Sequence, residues 1–162
     1  MKYVYGILGM IVLALVANWA YQASPKPVAE PTTQTVLVYY TIPTETDMDF
    51  VAVEREVPVS DNGDVLALAT LQELVKGTTD AERAQGIMSS FNDGTEVNSV
   101  KFEDGVVTID FNETFDAQMG GSMRVRAISQ TIRRTVQQFN QTTEYTIKLT
   151  VNNGEREAVL EP

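Results

Sequence analysis

The sequence of 162 residues contains neither cysteine nor histidine. Without cysteine there can be no disulfides, so the fold has to rely on its hydrophobic core. A lipid-modified N-terminal cysteine is excluded as well. Without histidine, the commonest general base and the commonest zinc ligand are missing. The residue inventory alone therefore excludes cysteine proteases and Ser-His-Asp hydrolases.

Basic residues are also scarce. Lysine and arginine together number 12, against 22 aspartates and glutamates, which gives a net charge of −10. The first acidic residue is Glu30, so the acidity belongs to the chain that follows the N-terminal segment. Nucleic acids and anionic lipid surfaces attract proteins through lysine and arginine. We therefore expect no nucleic-acid partner and no binding along an anionic lipid surface.

The N-terminal segment has the composition of a membrane-spanning helix. Residues 3–24 carry no charge, and their apolar stretch is flanked by four aromatic residues of the kind that line membrane interfaces, Tyr3, Tyr5, Trp19 and Tyr21. The length is close to the ~20 residues that a bilayer crossing needs. We expect residues 1–24 to be an uncleaved signal-anchor with a cytoplasmic N-terminus. A cleaved signal peptide is the alternative, but it requires a pair of small residues that this segment lacks.

A short linker and a first group of elements follow the predicted anchor. Residues 25–34 contain three prolines, which predict a stiff, extended spacer. In the remaining domain, 35–162, β-branched and aromatic residues predict strands over 35–40 and 50–57. Apolar residues at helical spacing predict a helix over 65–75 that ends at Gly77.

The second half of the domain predicts a hairpin, a helix and two more strands. Two alternating runs around Glu103-Asp104-Gly105 predict the hairpin. Ser122 is the expected N-cap of a helix with the apolar stripe Val125, Ile128, Ile132, Val136 and Phe139. Strands are expected over 145–151 and 155–160. The predicted fold is therefore α/β (α+β), with the order ββαββαβ, one mixed β-sheet and two helices packed on one face of it.

The chain from Val36 to Pro162 resembles the GerMN domain of spore germination and sporulation proteins. VLVYY is similar to the first strand of that family. LALATLQELVKGTTDAERAQG is similar to its ALxxLLxGPTxxExxxG segment, with Gly77 and Thr79 on matching positions and Thr78 where the family usually has proline. IMSSFNDGTEVNSVKFEDGVVTIDF resembles its Gly-Thr turn and the strands that end in VxVDF. GGSMRVRAISQTIRRTVQQF resembles its final helix.

This resemblance implies an extracytoplasmic domain with no established catalytic role, which serves in envelope assembly around spore formation. It also implies a fold similar to the small α/β ring-building domains of bacterial secretion machines. Many members are lipoproteins and some carry two such domains, whereas this chain has a predicted helix anchor and one domain. The expected location is therefore the bacterial cytoplasmic membrane, crossed once, with the domain on the extracytoplasmic side.

The arginines of the last predicted helix are the candidate interaction surface. Four of the chain's few basic residues lie on this element and off its apolar stripe, namely Arg124, Arg126, Arg133 and Arg134. A solvated face that pairs with nearby carboxylates is the ordinary interpretation. The functional interpretation is a docking surface for an acidic partner or for another copy of the chain.

Other candidates have simpler structural interpretations. Asp104 and Asp110 are expected in a turn and on a solvated strand face. Asp61, Asn62 and Asp64 lack the spacing of a calcium loop, so we expect a turn and a helix cap. Gly120 and Gly121 lack the rest of a phosphate-binding pattern. We expect no catalytic residues, no cofactor and no metal site.

Two functions remain open at this point. The first is a non-enzymatic protein-interaction or assembly module of the cell envelope, which binds an envelope protein or associates with itself. The second is a ligand-binding domain for cell-wall glycan or peptide. Glycan binders usually display aromatic platforms. The only candidates outside the predicted core stripes are Tyr39, Tyr40 and Phe91.

We predict that the domain from Thr35 onward folds without the N-terminal segment, because its core is complete and needs neither metal nor disulfide. Thermal unfolding should be cooperative, with the same midpoint in EDTA and in reductant. A large loss of stability in EDTA would show that a structural metal site had been overlooked.

Overall fold

The structure is a computed structural model, and it describes residues 32–117, 120–139 and 145–159. The predicted anchor over 1–24 and most of the predicted linker lie outside the described residues. None of the helices that the structure describes is long and apolar enough to span a membrane. Thr32–Pro162 forms one unit by its internal contacts.

A long β-hairpin opens this unit. Strand β1 (Thr33–Pro43) pairs antiparallel with strand β2 (Met48–Pro58), from Thr33 opposite Pro58 to Pro43 opposite Met48. Alternate residues of β1, Val36, Val38 and Tyr40, are buried, because successive side chains of a strand point to opposite faces. One face of the hairpin therefore belongs to the core and the other faces solvent.

Two helices follow, and both begin with side-chain caps. Helix α1 (Gly63–Val75) starts at Asn62, whose side-chain oxygen accepts hydrogen bonds from the Asp64 and Val65 N–H groups. Helix α2 (Asp80–Ala84) starts at a capping box. The predicted helix end at Gly77 is confirmed, since its φ of 84° suits glycine.

The remaining strands form a second sheet. It consists of β3 (Val97–Glu103), β4 (Val106–Phe111), β5 (Thr146–Val151) and β6 (Arg156–Glu157), in that spatial order. β4 and β5 are parallel, and the other pairs are antiparallel. The predicted tight hairpin turn is confirmed, with φ positive at both Asp104 and Gly105.

Helix α3 (Ser122–Val136) connects β4 to β5 and continues as a 3₁₀ turn. Its N-cap is Gly121 and not the predicted Ser122, and no side chain caps it. Its buried residues comprise three positions of the predicted stripe together with one alanine and two threonines that were not predicted: Ile128, Ile132, Val136, Ala127, Thr131 and Thr135. Val125, which was expected on the apolar stripe, is only half-buried.

The structure adds the short helix α2 to the predicted elements, and the single mixed sheet was wrong, because the strands form two sheets. The physical reason lies at the outer edge of β1. Tyr39 N–H donates to the Thr135 hydroxyl at 3.1 Å, and the Gln138 amide both accepts from Leu37 N–H and donates to Leu37 C=O. Side chains at the end of α3 thus satisfy the edge that a neighbouring strand would have used.

Side-chain packing joins the two sheets. α1 packs against β1, β2 and β3, and also against α3, so it lies between both sheets and is not confined to one face. Ala67, Leu71 and Leu74 of α1 are fully buried in a cluster that includes Val38 and Ile109, one from each sheet. The second sheet contributes further to the same core through Val107, Phe111 and Val151.

The carboxylate of Asp110 is enclosed in the core, with the residue 3% exposed. It accepts hydrogen bonds from Asn98 Nδ2, Thr150 Oγ1 and the N–H groups of Asn153 and Gly154, all at 2.7–2.9 Å. Burial alone would raise the pKa of Asp110, but these hydrogen bonds together lower it. The predicted solvated strand face was therefore wrong at this residue, which fastens the β5–β6 turn to β4.

A second polar cluster ties the hairpin to the helices. The Tyr40 hydroxyl lies within hydrogen-bond distance of the Leu74 and Gly77 carbonyl oxygens, at 3.0 and 2.8 Å, where α1 ends. Beside it, Arg55 of β2 forms a bidentate ion pair with Glu82 of α2, with Nη1–Oε1 and Nη2–Oε2 distances of 2.7 and 2.8 Å. The hydrogen bonds from Arg55 lower the pKa of Glu82 to about 2.

We predict that Asp110→Ala lowers the free energy of unfolding by about 2–4 kcal/mol, because it leaves buried donors unsatisfied. Asp49→Ala, at an exposed position of β2, is the control for removing one carboxylate. Urea denaturation should show the loss only for Asp110→Ala. Equal stability of the two variants would contradict the structural role of Asp110.

We predict that Glu82→Gln costs about 1–2 kcal/mol at neutral pH, since it removes the charged partner of Arg55. The folded-state pKa of about 2 lies below the ordinary value of 4.5, so this stability is present above pH 4.5 and is lost as the pH falls towards 2. The parent and the variant should therefore converge in acid. A gap that is independent of pH would contradict the ion pair, and Glu96→Gln at an exposed site is the control.

Candidate docking surface

The four predicted arginines lie on α3, but the structure divides them. Arg126, Arg133 and Arg134 are exposed, whereas Arg124 is half-buried. The exposure of Arg126 and Arg133 agrees with their positions off the buried stripe. They lie seven residues apart, which places them two turns apart on one side of the helix.

Arg124 donates hydrogen bonds to the loop that contains Ser90 and Asn92. Its Nε donates to the Ser90 carbonyl at 3.0 Å, and its Nη2 donates to Asn92 Oδ1 at 2.5 Å. The amide nitrogen of Asn92 in turn donates to the carbonyls of Thr114 and Ala117. Arg124 therefore fixes the start of α3 against two loops, and its charge is engaged inside the unit.

The three exposed arginines make weak contacts of their own. Arg126 forms an ion pair with Asp47, and both side chains are about half exposed, at 53% and 52%. The Arg133 and Arg134 guanidinium groups lie over the rings of Tyr145 and Phe50, at 5.6 and 4.7 Å from the ring centroids. Contacts of these kinds at exposed sites contribute up to about 1 kcal/mol each. A binding partner can therefore replace them at little cost.

An apolar groove is lined by Arg124 and by Asp47, the ion-pair partner of Arg126. It has a volume of about 390 Å³ and runs between the end of the β1–β2 hairpin, residues 88–90 and the start of α3. Three methionines contribute to its lining, Met48, Met88 and Met123, and we call it the methionine groove. Met88 and Met123 are more than half exposed. Flexible thioether side chains of this kind adapt to the shape of a bound apolar group.

Sequence reasoning missed the methionine groove for a physical reason. Its methionines come from three separate elements, so no local spacing connects them. The available signal was the position of Met88 and Met123 outside any periodic apolar stripe. Such a position marks a side chain that the core does not require.

The acidic candidates have structural roles. Asp104 forms the β3–β4 turn with positive φ, and Asp110 fastens the β5–β6 turn to β4. Asn62 caps α1, and Asp64 Oδ1 accepts a hydrogen bond from Phe102 N–H at 3.2 Å. No cluster of carboxylates with the arrangement of a metal site occurs in the part of the chain that the structure describes.

The aromatic candidates for glycan binding do not form a platform. Tyr40 is fully buried, and Phe91 packs against the core and lies 6.4 Å from Phe115 by ring centroids. Tyr39 and Phe91 are both half-buried, but only Tyr39 lies on the outer face of the hairpin. The expectation that Tyr40 was available on the surface was therefore wrong.

Gly121, which was considered for a phosphate-binding loop, has a φ of 85° and directs the chain into α3.

The comparisons with known proteins concern this same unit. The family model Germane, described as "Sporulation and spore germination", matches residues 37–157. None of the curated protein sequences matches the chain significantly. Among solved structures, the tandem GerMN domains of the sporulation protein GerM from Bacillus subtilis align with a TM-score of 0.55 and 23% identity. The alignment covers 81% of this chain and 44% of that one, so this chain spans less than half of the tandem structure.

Two further structures are similar at lower scores. The first GerMN domain of GerM from Bacillus subtilis aligns with a TM-score of 0.48 and 22% identity, over 76% of this chain and 86% of that one. A putative lipoprotein from Clostridium perfringens has a TM-score of 0.49 and 15% identity, over 81% and 84%. Because the family model covers most of the chain, the protein belongs to the Germane family of sporulation and spore germination, and its folded unit is a GerMN-like domain.

Proposed function

We propose that this protein is a membrane-anchored, extracytoplasmic interaction module of the bacterial cell envelope that carries out no catalysis. In this proposal the domain binds an acidic envelope protein, with association between copies as the second possibility. The binding surface is the methionine groove together with Arg126 and Arg133, and we call this combination the docking surface. The methionine groove, whose lining residue Asp47 pairs with Arg126, is the observation that carries the proposal.

The chemistry of the docking surface favours an acidic partner that also presents an apolar side chain. The groove offers adaptable apolar walls, and Met88 and Met123 are already exposed without a partner. Among the described residues, the ion-pair partner of Arg126 is the exposed carboxylate of Asp47. An incoming carboxylate can take the place of Asp47, because exposed ion pairs are weak. Arginine and methionine are also enriched in protein interfaces.

Family membership supports an envelope role. The matching family is described by sporulation and spore germination, and a similar solved structure is a sporulation protein. The uncharged residues 3–24 support attachment to a membrane, and the acidic domain suits an aqueous compartment. A non-enzymatic role is supported by the structural engagement of Asp110, Glu82 and Arg124. The glycan-binding alternative loses support because Tyr40 is buried.

We predict that Arg126→Glu with Arg133→Glu weakens association while the domain stays folded. The two substitutions remove an exposed ion pair and one ring contact, so the free energy of unfolding should fall by about 1–2 kcal/mol at most. High salt should weaken association of the parent in the same direction, because exposed charges are screened. The measurements are thermal unfolding, sedimentation of the purified chain and recovery of bound envelope proteins from native membranes.

The control for this experiment is Lys101→Glu with Lys148→Glu, which reverses the same number of charges on the second sheet. This pair should leave the partners and the oligomeric state as in the parent. If the two double variants recover the same proteins and sediment alike, the arginines of α3 form a solvated surface and the proposal is wrong. Loss of sedimenting oligomers in the arginine variant alone would identify a second copy as the partner.

A further inference from the structure

In the part of the chain that the structure describes, the outer edge of β2 is an open strand edge. On β1, the N–H groups of Leu37, Tyr39 and Thr41 point away from β2, because they donate to Gln138, Thr135 and Met88. Residues of an antiparallel strand alternate in direction, so the even-numbered residues of β1 bond to β2. By the observed register their partners are the odd-numbered residues of β2. The even-numbered residues therefore direct their N–H and C=O groups outwards, at Phe50, Ala52, Glu54 and Glu56.

The two edges of the hairpin differ in the hydrogen bonds made by their outward backbone groups. The β1 edge is satisfied by side chains of α3 and by the bridge to Met88. On the β2 edge, the only bond described to these outward backbone groups is that from Arg55 Nη1 to the Glu54 carbonyl, at 3.0 Å. No second strand lies beside β2 in the described part of the chain. Ala52, Glu54 and Glu56 are exposed, and Phe50 is half-buried.

We propose that the β2 edge binds an extended segment of a basic protein partner by antiparallel strand addition. Main-chain hydrogen bonds to the outward groups would supply affinity, and the side chains beside them would supply selectivity. Basic residues of the segment lie opposite Glu54 and Glu56, and apolar residues lie opposite Ala52 and Phe50. The segment therefore has the pattern basic-x-basic-x-apolar-x-apolar. The docking surface reaches β2 only at its first residue, Met48, and the inference does not rest on the proposed function.

The negative charges of Glu54 and Glu56 favour a basic partner over a second copy of the chain at this edge. Two copies paired along this edge would bring Glu54 and Glu56 of both chains into one seam, in a chain of net charge −10. Like charges on neighbouring strands are destabilising, whereas opposite charges stabilise strand pairs. The same two glutamates that oppose pairing between copies therefore attract a basic strand.

The test uses the full-length chain and the acetylated peptide Lys-Thr-Lys-Thr-Val-Thr-Val as the probe. Amide exchange should be slowed by the peptide at Phe50, Ala52, Glu54 and Glu56, with smaller changes at residues already bonded to β1. A peptide N-methylated at its lysines and valines loses the N–H groups that face β2 and should not protect these amides. A peptide N-methylated at its threonines should still protect them.

Charge exchange tests the selectivity. Glu54→Lys with Glu56→Lys should weaken binding of the lysine peptide by about three- to tenfold, from two cross-strand pairs. The same variant should gain affinity for the peptide in which glutamate replaces lysine. Ala52→Pro removes only an outward N–H and should abolish protection without unfolding the hairpin. The two peptides still test the charge preference on the parent chain if either variant fails to fold.

Three results would overturn the inference. The first is equal protection by both N-methylated peptides, and the second is no preference of the parent for the lysine peptide over the glutamate peptide. The third is protection of the edge amides by raised protein concentration alone, which would identify a second copy as the occupant. A negative result here does not change the result expected for the arginine variants of α3, so the two proposals are tested independently.

Discussion

Helix α1 has to bury its apolar face against two sheets at the same time. No strand of the hairpin is hydrogen-bonded to a strand of the other sheet among the described residues. The sheets are held together by side chains of α1 and α3, with Leu71 and Leu74 between them. Polar contacts then hold the hairpin in place: Tyr40 bonds to the end of α1, and Arg55 of β2 pairs with Glu82 of α2. If the packing of α1 were lost, the docking surface and the β2 edge would no longer be positioned by one core.

The sequence allowed prediction of those features that depend on near neighbours. The Asp104–Gly105 turn, the cap at Asn62 and the helix end at Gly77 follow from local backbone preferences and were confirmed. The division into two sheets could not be predicted, because it depends on contacts of Tyr39 and Leu37 with side chains 96 and 101 residues away. The burial of Asp110 has a similar origin, since its donors come from other segments of the chain and no local pattern indicates them.

The candidate site was predictable only in part for the same reason. Helical spacing placed Arg126 and Arg133 on the exposed side of α3, and the structure agrees. It could not separate Arg124, whose partners Ser90 and Asn92 lie on a distant loop. Nor could periodicity find the methionine groove, which forms only where three elements meet. Of the four arginines on α3, one thus serves the architecture and the other three stay on the surface.

The hydrogen bonds at the edge of β1 also govern when the protein can fold. The outer edge of β1 is satisfied by Thr135 and Gln138, and the buried carboxylate of Asp110 on β4 is satisfied by the turn at Asn153 and Gly154. Contacts of such large sequence separation form only after long loops have closed. Until the chain has been made as far as Gly154, the unit therefore lacks the partners of these groups. A domain built in this way stays open during synthesis and closes as a whole once its last turn is available.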